Sequence, residues 1–292
     1  QRYRMPIERY GDMSSLRDLK SRVGPFILRR LKTDKAIISD LPEKVELSEW
    51  VGLSKEQKSL YAKTVEDTLD AIARAPRGKR HGQVLGLLTR LKQICNHPAL
   101  ALKEKDASDD FLQRSVKLQR LEEILEEVIE AGDRALLFTQ FAEWGTLLQE
   151  YLQRRWRSEV PFLSGSTSKT ERQAMVDRFQ EDPRGPQLFL LSLKAGGVGL
   201  NLTRASHVFH IDRWWNPAVE NQATDRAYRI GQTNRVMVHK FITSGSVEEK
   251  IDRMIREKSR LAEDIVGSGE EWLGGLEMGQ LKELVSLEDN PS

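Results

Sequence analysis

The sequence has almost no cysteine. Cys95 is the single cysteine among 292 residues, so an internal disulfide is excluded and a reducing compartment is favoured. A structural zinc site needs about four ligands with paired spacing, and no second cysteine exists to join Cys95 and His97. We therefore predict no metal site in this chain.

The sequence also lacks a long apolar run and an excess of charge of either sign. We therefore expect neither a membrane span nor a signal peptide. The net charge is +2, from 46 basic and 44 acidic residues, so any nucleic-acid surface must be a local patch. The chain opens at Gln1 rather than at a methionine, and we expect it to be part of a longer protein.

Short apolar runs alternate with amphipathic helices from Ser115 onward. Continuous apolar strands between helices predict an α/β fold, with a parallel sheet that helices cover on both faces. Ligands of such folds bind at the carboxyl ends of the strands. The runs cover 135–138, 160–163, 188–191, 208–211 and 236–242, and a polar motif follows each of the first four.

The first part of the chain has a helical pattern. The sequence predicts helices over 15–30, 54–75 and 83–94, with a loop at 75–82 and a strand near 45–53. We divide the chain into a helical region (1–113), an α/β lobe (114–266) and a tail (267–292). A basic cluster (Arg29, Arg30, Lys32 and Lys35) is either a solvated helix face or a contact to DNA or to a second lobe.

A further helix opens at Asn216-Pro217, where an N-cap residue precedes proline at the first helical position. Gln222, Arg226 and Arg229 follow at i, i+4 and i+7, a spacing that predicts one shared face. Arginine carries a permanent charge and a planar fork that matches phosphate oxygens. This face suits a triphosphate better than it suits a core.

Several motifs together resemble the Swi/Snf-type ATPases of helicase superfamily 2. QATDRAYRIGQ resembles the last helicase motif, with Tyr228 where that family usually has histidine, and SLKAGGVGLNL and DRWWNP resemble the two before it. RALLFTQF and LSGSTSKTERQAMVDRF resemble earlier motifs of the same lobe. GPFILRRLKTDK and DLPEKVE resemble the region that joins the two ATPase lobes of that family and forms part of a helical protrusion. CNHP resembles a segment that ends a helix at this point of the family.

The resemblance implies a RecA-like second lobe of an ATP-dependent translocase on double-stranded DNA. It implies that Arg226 and Arg229 act on the phosphates, that Gln222 orients the attacking water or the γ-phosphate, and that Gly197 and Gly199 approach the nucleotide. ATP and Mg²⁺ would be held mainly by an N-terminal lobe. No G-x-x-x-x-G-K-[ST] loop occurs in this sequence, so we expect the chain alone to be inactive.

The resemblance also implies a set of DNA contacts at the strand ends. Small hydroxyls, backbone N–H groups and a lysine can hold phosphates without reading bases. Of Trp214 and Trp215, which are adjacent, we expect one ring in the core and the other exposed near the DNA. The predicted DNA contacts are Thr139, Gln140, Ser166, Ser192, Lys194, Gly196 and Trp214.

The expected partners are double-stranded DNA and the N-terminal lobe, with a DNA-bound protein as an open candidate and no membrane. Two alternatives stay open at this point: an unwinding DNA or RNA helicase, and a nucleic-acid-binding module without catalysis. A bacterial or archaeal source would place the protein in the cytoplasm and nucleoid, and a eukaryotic source would place it in the nucleus.

Overall fold

The structure is a computed structural model that describes residues 41–195, 199–261 and 277–288. The predicted helix over 15–30, the basic cluster at 29–35, and Gly196 and Gly197 lie outside the described residues. Within the described ranges, no helix is both long enough and apolar enough to cross a membrane.

In the described part of the chain, six strands form one sheet in which all neighbours run parallel. Their bounds are Lys44–Val51 (β1), Ala135–Thr139 (β2), Phe162–Leu163 (β3), Leu188–Ser192 (β4), His207–His210 (β5) and Val236–Thr243 (β6). The strands lie in the order β1-β6-β5-β2-β4-β3. The sheet confirms the predicted α/β, RecA-like fold.

Helices connect the strands and flank the sheet. Their bounds are Lys55–Arg74 (α1), Arg77–Asn96 (α2), Pro98–Leu102 (α3), Val116–Glu130 (α4), Ala142–Trp156 (α5), Lys169–Glu181 (α6), Pro217–Thr224 (α7), Val247–Leu261 (α8) and Met278–Val285 (α9). The capping boxes expected at Ser54 and Ser168 are present, with both reciprocal bonds.

The sheet is buried on both faces because helices cover each of them. Alternate residues of β2, such as Leu137, join a core cluster with α4 and α5 on one face. On the other face, Phe179 of α6 lies 5.3 Å from Phe189 of β4, measured between ring centroids. Every residue of β2 and β4 is consequently buried, as the continuous apolar runs predicted.

A second core cluster joins α1, α2, α8 and α9. Tyr61 of α1, Leu91 of α2, Ile251 of α8 and Leu281 of α9 are all buried in it. Strand β1 pairs along its whole length with β6, so the sheet takes a strand from the region that the sequence analysis assigned to the helical part (1–113). The sheet therefore extends across the predicted boundary at 113–114.

The predicted loop at 75–82 is wrong. Helix α2 starts at Arg77, directly after Pro76, so only Ala75 and Pro76 separate it from α1. Gly82, one of the glycines that suggested a loop, lies inside the helix, and a Cβ added there would meet no other atom within 4 Å. Glycine weakens a helix by about 1 kcal/mol relative to alanine without preventing it, and packing against α1 supplies the rest.

Candidate functional site at the carboxyl edge of the sheet

The carboxyl ends of β2, β4 and β5 lie side by side at one edge of the sheet. Thr139 pairs with Ser192 in the register between β2 and β4. The N–H of Leu193 donates to the carbonyl of Thr139 across 2.9 Å, and the N–H of Ile211 donates to the carbonyl of Phe138 across 3.0 Å. The loops after these three strands therefore begin next to one another.

The carboxylate of Asp212 ties two of these loops to α2. One oxygen accepts hydrogen bonds from the hydroxyl of Thr139 (2.6 Å) and from Nδ2 of Asn96 (3.0 Å). The other accepts from the backbone N–H and Nε2 of Gln140, across 3.0 and 2.8 Å. Asp212 is 1% exposed, and four donors around a buried carboxylate offset its desolvation.

The expected side-chain contact of Thr139 with DNA does not fit this structure. The side chain of Thr139 is fully buried, and its hydroxyl is already donated to Asp212 while it accepts from the N–H of Phe141. Gln140 is only partly buried. We therefore assign Thr139 to the support of the loop and keep Gln140 as a candidate contact.

Lys92 of α2 lies beneath the tryptophan pair. Its ammonium group is 5.7 Å from the ring centroid of Trp214 and 5.2 Å from that of Trp215. It also donates to Oε1 of Gln140 across 3.1 Å. Trp215 packs against the second core cluster, as expected of one ring, but Trp214 is half-buried rather than exposed. The two rings share one cation.

A buried ion pair extends the same network towards α8. Lys117 donates to both carboxylate oxygens of Glu248, across 2.9 and 2.8 Å, and to Oδ1 of Asn96 across 3.0 Å. Lys117 is 1% exposed and Glu248 is fully buried. Asn96 therefore joins Lys117 to Asp212, and the buried charges of Lys92, Lys117, Asp212 and Glu248 cancel.

The serines predicted to contact DNA differ in exposure. Ser192 is 4% exposed, and its hydroxyl accepts from the N–H of Ala195 across 3.2 Å, so it shapes the turn rather than the surface. Ser166 and Lys194 are exposed. The hydroxyl of Ser166 is 2.8 Å from that of Ser164. Lys194 and Ser166 remain free to meet a phosphate backbone, whereas the side chain of Ser192 does not.

The helix that predicted a shared face for Gln222, Arg226 and Arg229 does not reach the two arginines. Helix α7 begins with the expected Asn216 cap and Pro217 but ends at Thr224, before either arginine. Tight turns follow, in which the N–H of Arg226 donates to the carbonyl of Ala223 and that of Gln232 donates to the carbonyl of Arg229. The two arginines consequently have different surroundings.

Arg226 is buried and Arg229 is exposed. Arg226 is 6% exposed, and its Nε has no hydrogen-bond partner among the described residues. Burial lowers the pKa of the Arg226 guanidinium, and the neighbouring charge of Arg229 adds to this effect. Gln222 is exposed, like Arg229. A buried guanidinium with an unpartnered nitrogen is costly unless an anion arrives.

The glycine loop after β4 meets the arginine turn through its backbone. The N–H of Leu202 donates to the carbonyl of Arg226 across 3.0 Å. Gly199 is exposed and has φ +51°, which favours glycine at this position. Gln232, 3% exposed, donates from Nε2 to the carbonyls of Ala205 and Ala227, across 2.9 and 3.1 Å. These bonds hold the arginine turn against the loop.

The CNHP segment has a structural role. Nδ1 of His97 accepts from the N–H of Ala99 across 3.0 Å, so Nε2 carries the proton that it donates to the carbonyl of Phe111 across 2.7 Å. Burial lowers the pKa of His97 to about 4, and the thiol of Cys95 is fully buried. No group of three or more potential metal ligands occurs among the residues that the structure describes.

Sequence reasoning missed the supporting residues of this edge: Lys92, Asn96, Lys117, Asp212 and Glu248. One signal was present, because Lys92 falls on the apolar stripe of α2 beside Leu88, Leu91 and Cys95. A charged residue on such a stripe is rarely buried without partners. The partners themselves come from distant segments, and the sequence pattern does not reveal them.

Comparison with known proteins defines the class of the lobe. Residues 116–231 match the family described as the helicase conserved C-terminal domain, and residues 1–100 match the SNF2-related domain. The C-terminal domain of a Sulfolobus solfataricus SWI2/SNF2 ATPase is 39% identical, with a TM-score of 0.72 over 84% of this chain and 100% of that one. The fold is that of a helicase C-terminal lobe.

The chain belongs to the SWI2/SNF2 ATPases of helicase superfamily 2. The Sulfolobus solfataricus SWI2/SNF2 ATPase core in complex with double-stranded DNA is 42% identical, with a TM-score of 0.75 over 98% of this chain and 59% of that one. YwqA of Bacillus subtilis (strain 168), which is named a "Putative ATP-dependent helicase/translocase", is 47% identical over 98% of this chain. The chain spans 31% of the length of YwqA.

Proposed function

We propose that the chain is the second lobe of an ATP-dependent translocase on double-stranded DNA. In this proposal Arg226 and Arg229 act as arginine fingers on a nucleotide that an N-terminal lobe of the same protein holds, and Gln222 orients the attacking water or the γ-phosphate. The observation that carries the proposal is the buried guanidinium of Arg226, whose Nε lacks a partner among the described residues, beside the exposed Arg229.

The surroundings of Arg226 favour an anion over a neutral ligand. Two guanidinium groups lie close enough for Arg229 to lower the pKa of Arg226, so their mutual repulsion adds to the cost of burial. An anion that contacts both groups removes both costs. Phosphoryl transfer builds up negative charge on the transferred group, and arginine placed against it accelerates the reaction.

The residues of this chain fit one part of ATP and not the whole of it. Arginines and the glycine loop suit phosphate oxygens, and we retain Gly197 and Gly199 as proposed nucleotide contacts. The sequence holds no P-loop lysine or hydroxyl to grip the β-phosphate and magnesium. We therefore assign Mg²⁺ and most of the nucleotide to the N-terminal lobe. When bound, ATP supplies the phosphoryl group whose transfer drives movement.

The DNA contacts belong to the exposed part of the same edge. Lys194 and Ser166 offer a cation and a hydroxyl to phosphate oxygens. Gln140, whose Nε2 already donates to Asp212 across 2.8 Å, and the backbone of Gly196 are further proposed contacts. Trp214 would border the DNA path as a half-buried ring. A relative with 42% identity has been solved as a complex with double-stranded DNA, which supports this assignment.

The wider assembly follows from the same proposal. The helical region (1–113), the lobe (114–266) and the tail (267–292) stay our proposed division, with β1 contributed to the sheet by the first region. The partners are the N-terminal lobe and DNA, and a DNA-bound protein is the candidate cargo. Similar proteins occur in bacteria and in eukaryotes, so we propose the nucleoid for a bacterial source and the nucleus for a eukaryotic one.

The test uses the full-length protein and DNA-stimulated release of phosphate. We expect Arg229→Ala and Arg226→Ala to lower kcat by about a thousandfold or more, because each removes a charge from the transition state. Arg235→Ala is the matched control, since Arg235 is exposed and pairs only at the surface with Glu43. Unchanged activity in both finger variants would instead favour a module without catalysis.

A second assay separates the translocase from an unwinding helicase. On duplex DNA with a bound third strand, we expect the protein to displace the third strand in an ATP-dependent reaction and to leave the duplex intact. Separation of the duplex strands would favour the helicase alternative.

A further inference from the structure

Lys92 is a buried cation without a carboxylate partner in the described part of the chain. It is 1% exposed, and its ammonium hydrogen-bonds to the amide oxygen of Gln140 while facing the rings of Trp214 and Trp215. Burial lowers the pKa of Lys92, and the carboxylates of Asp212 and Glu248 oppose that effect. A cation–π contact gains strength when the cation is withdrawn from water.

Its three neighbours belong to two different loops. Gln140 follows β2, whereas Trp214 and Trp215 follow β5. Lys92 thus connects the two loops: it hydrogen-bonds to Gln140 in one and makes cation–π contacts with Trp214 and Trp215 in the other. Asn96, one turn later on the same face of α2, makes a second connection through Asp212.

In this arrangement the residue that supports the two loops is not itself one of the residues that would contact DNA. Lys92 lies inside the fold, so it does not meet a phosphate itself. The groups that it holds, Gln140 and Trp214, lie partly exposed at the edge that the proposed function places against DNA. Their relative position decides whether both meet the same stretch of backbone, and a shift of about 1 Å is enough to weaken such a constellation.

We propose that Lys92 is a positioning residue for DNA binding, which sets the placement of Gln140 relative to the tryptophan pair. The proposal rests on the proposed function, because it takes the DNA path from there. Lys92, a residue of the helical region, would thereby affect DNA binding by the lobe through the loops that follow β2 and β5.

The experiment measures binding of a short fluorescent duplex to the full chain at several salt concentrations. Lys92→Met keeps an unbranched side chain that is one atom shorter and removes its charge. We expect affinity to fall about tenfold while the slope of log affinity against log salt stays unchanged, because no phosphate contact is lost. Lys194→Ala is the comparison: it should weaken binding and reduce the slope by about one.

The conservative variant Lys92→Arg tests the cation–π link. A guanidinium also stacks on indole rings, so we expect it to restore most of the affinity. Thermal unfolding checks that each variant unfolds cooperatively. If Lys92→Met does not, Lys92→Gln replaces it with the same expectation, since its side-chain amide still has an N–H donor but carries no charge.

If the unchanged chain binds duplex DNA, two results would overturn the inference about Lys92 and leave the proposed function intact. One is an affinity that Lys92→Met leaves as it was, and the other is a reduced salt slope, which would mean that Lys92 contacts DNA directly. Absence of duplex binding by the unchanged chain would overturn this inference together with the DNA-binding part of the proposed function.

Discussion

The hydroxyl of Thr139 donates to the carboxylate of Asp212 across 2.6 Å, and neither residue is more than 1% exposed. This bond connects the end of β2 with the residue that follows β5 by two positions. Motif residues at the carboxyl edge are therefore of two kinds: some are exposed at the surface, and others hold the loops in place by buried hydrogen bonds. Thr139 and Asp212 belong to the second kind.

Replacing Asp212 by asparagine tests this support. An amide offers one acceptor oxygen where the carboxylate offers two, and its NH₂ group would face the donors of Thr139 or Gln140. We expect Asp212→Asn to lower the free energy of unfolding by about 2–4 kcal/mol, measured by urea denaturation. Asp177→Asn, at an exposed position in α6, should change it by less than about 0.5 kcal/mol.

The turn before α8 packs against the residues that follow α9, and a substitution in this turn tests whether that contact holds α9 in place. Gly245 has φ +68°, and a Cβ added there would lie 2.3 Å from the carbonyl oxygen of Glu288. We expect Gly245→Ala to release α9, lowering stability by about 1–3 kcal/mol and removing hydrogen-exchange protection from the amides of Leu281–Val285. Gly86→Ala is the control with the opposite sign: it has free space in α2 and should stabilise by about 0.5–1 kcal/mol.

Acid sensitivity should depend on His210. Burial lowers the pKa of His210 from 6.5 to about 4 in the folded chain. Below about pH 6.5, His210 binds a proton in the unfolded chain but not in the folded chain. The free energy of unfolding therefore decreases as the pH is lowered to about 4. One such group contributes a slope of about 1.4 kcal/mol per pH unit.

The measurement is the slope of unfolding free energy between pH 6.5 and pH 4. We expect His210→Phe to reduce this slope by about 1.4 kcal/mol per pH unit, the contribution of one bound proton, whatever its effect on absolute stability. His97, whose pKa is also lowered to about 4 by burial, keeps a second contribution in place. His81→Gln, at an exposed position of α2, should leave the slope unchanged; an equal slope in both variants would contradict the prediction.

The buried pair of Lys117 and Glu248 should matter far more than a surface pair of similar geometry. Lys117→Met leaves the carboxylate of Glu248 buried with only the N–H of Thr243 as a described partner. We expect a loss of about 3–5 kcal/mol, with part of it recovered when Glu248→Gln is added. The exposed pair of Arg178 and Glu159, 2.7 Å apart, should cost less than about 1 kcal/mol in Arg178→Met.

Local pattern was enough to predict the sheet and most helix starts. Continuous apolar runs identify parallel strands because both faces of each strand are covered, and the caps at Ser54, Ser168 and Asn216 are short-range hydrogen bonds within one turn. The start of α2 was missed because glycine and proline near Pro76 have the composition of a loop, while packing against α1 favours a helix.

Long-range contacts explain the rest. The end of α7 at Thr224 depends on Gln232 and on the backbone of Leu202, neither of which lies in the helix. Lys117 and Glu248 meet across a sequence separation of 131 residues, and nothing local distinguishes them from surface charges. The burial of Thr139 likewise follows from Asp212, which lies in another loop.

The pairing of β1 with β6 has a consequence for synthesis of the chain. His239 and Glu49, which bond across these strands, are separated by 190 residues. Strand β1 therefore leaves the ribosome long before β6, its neighbour in the sheet, is synthesised. During that interval its unpaired edge is exposed to other nascent chains, so chaperone binding to this early segment should protect the newborn protein from aggregation.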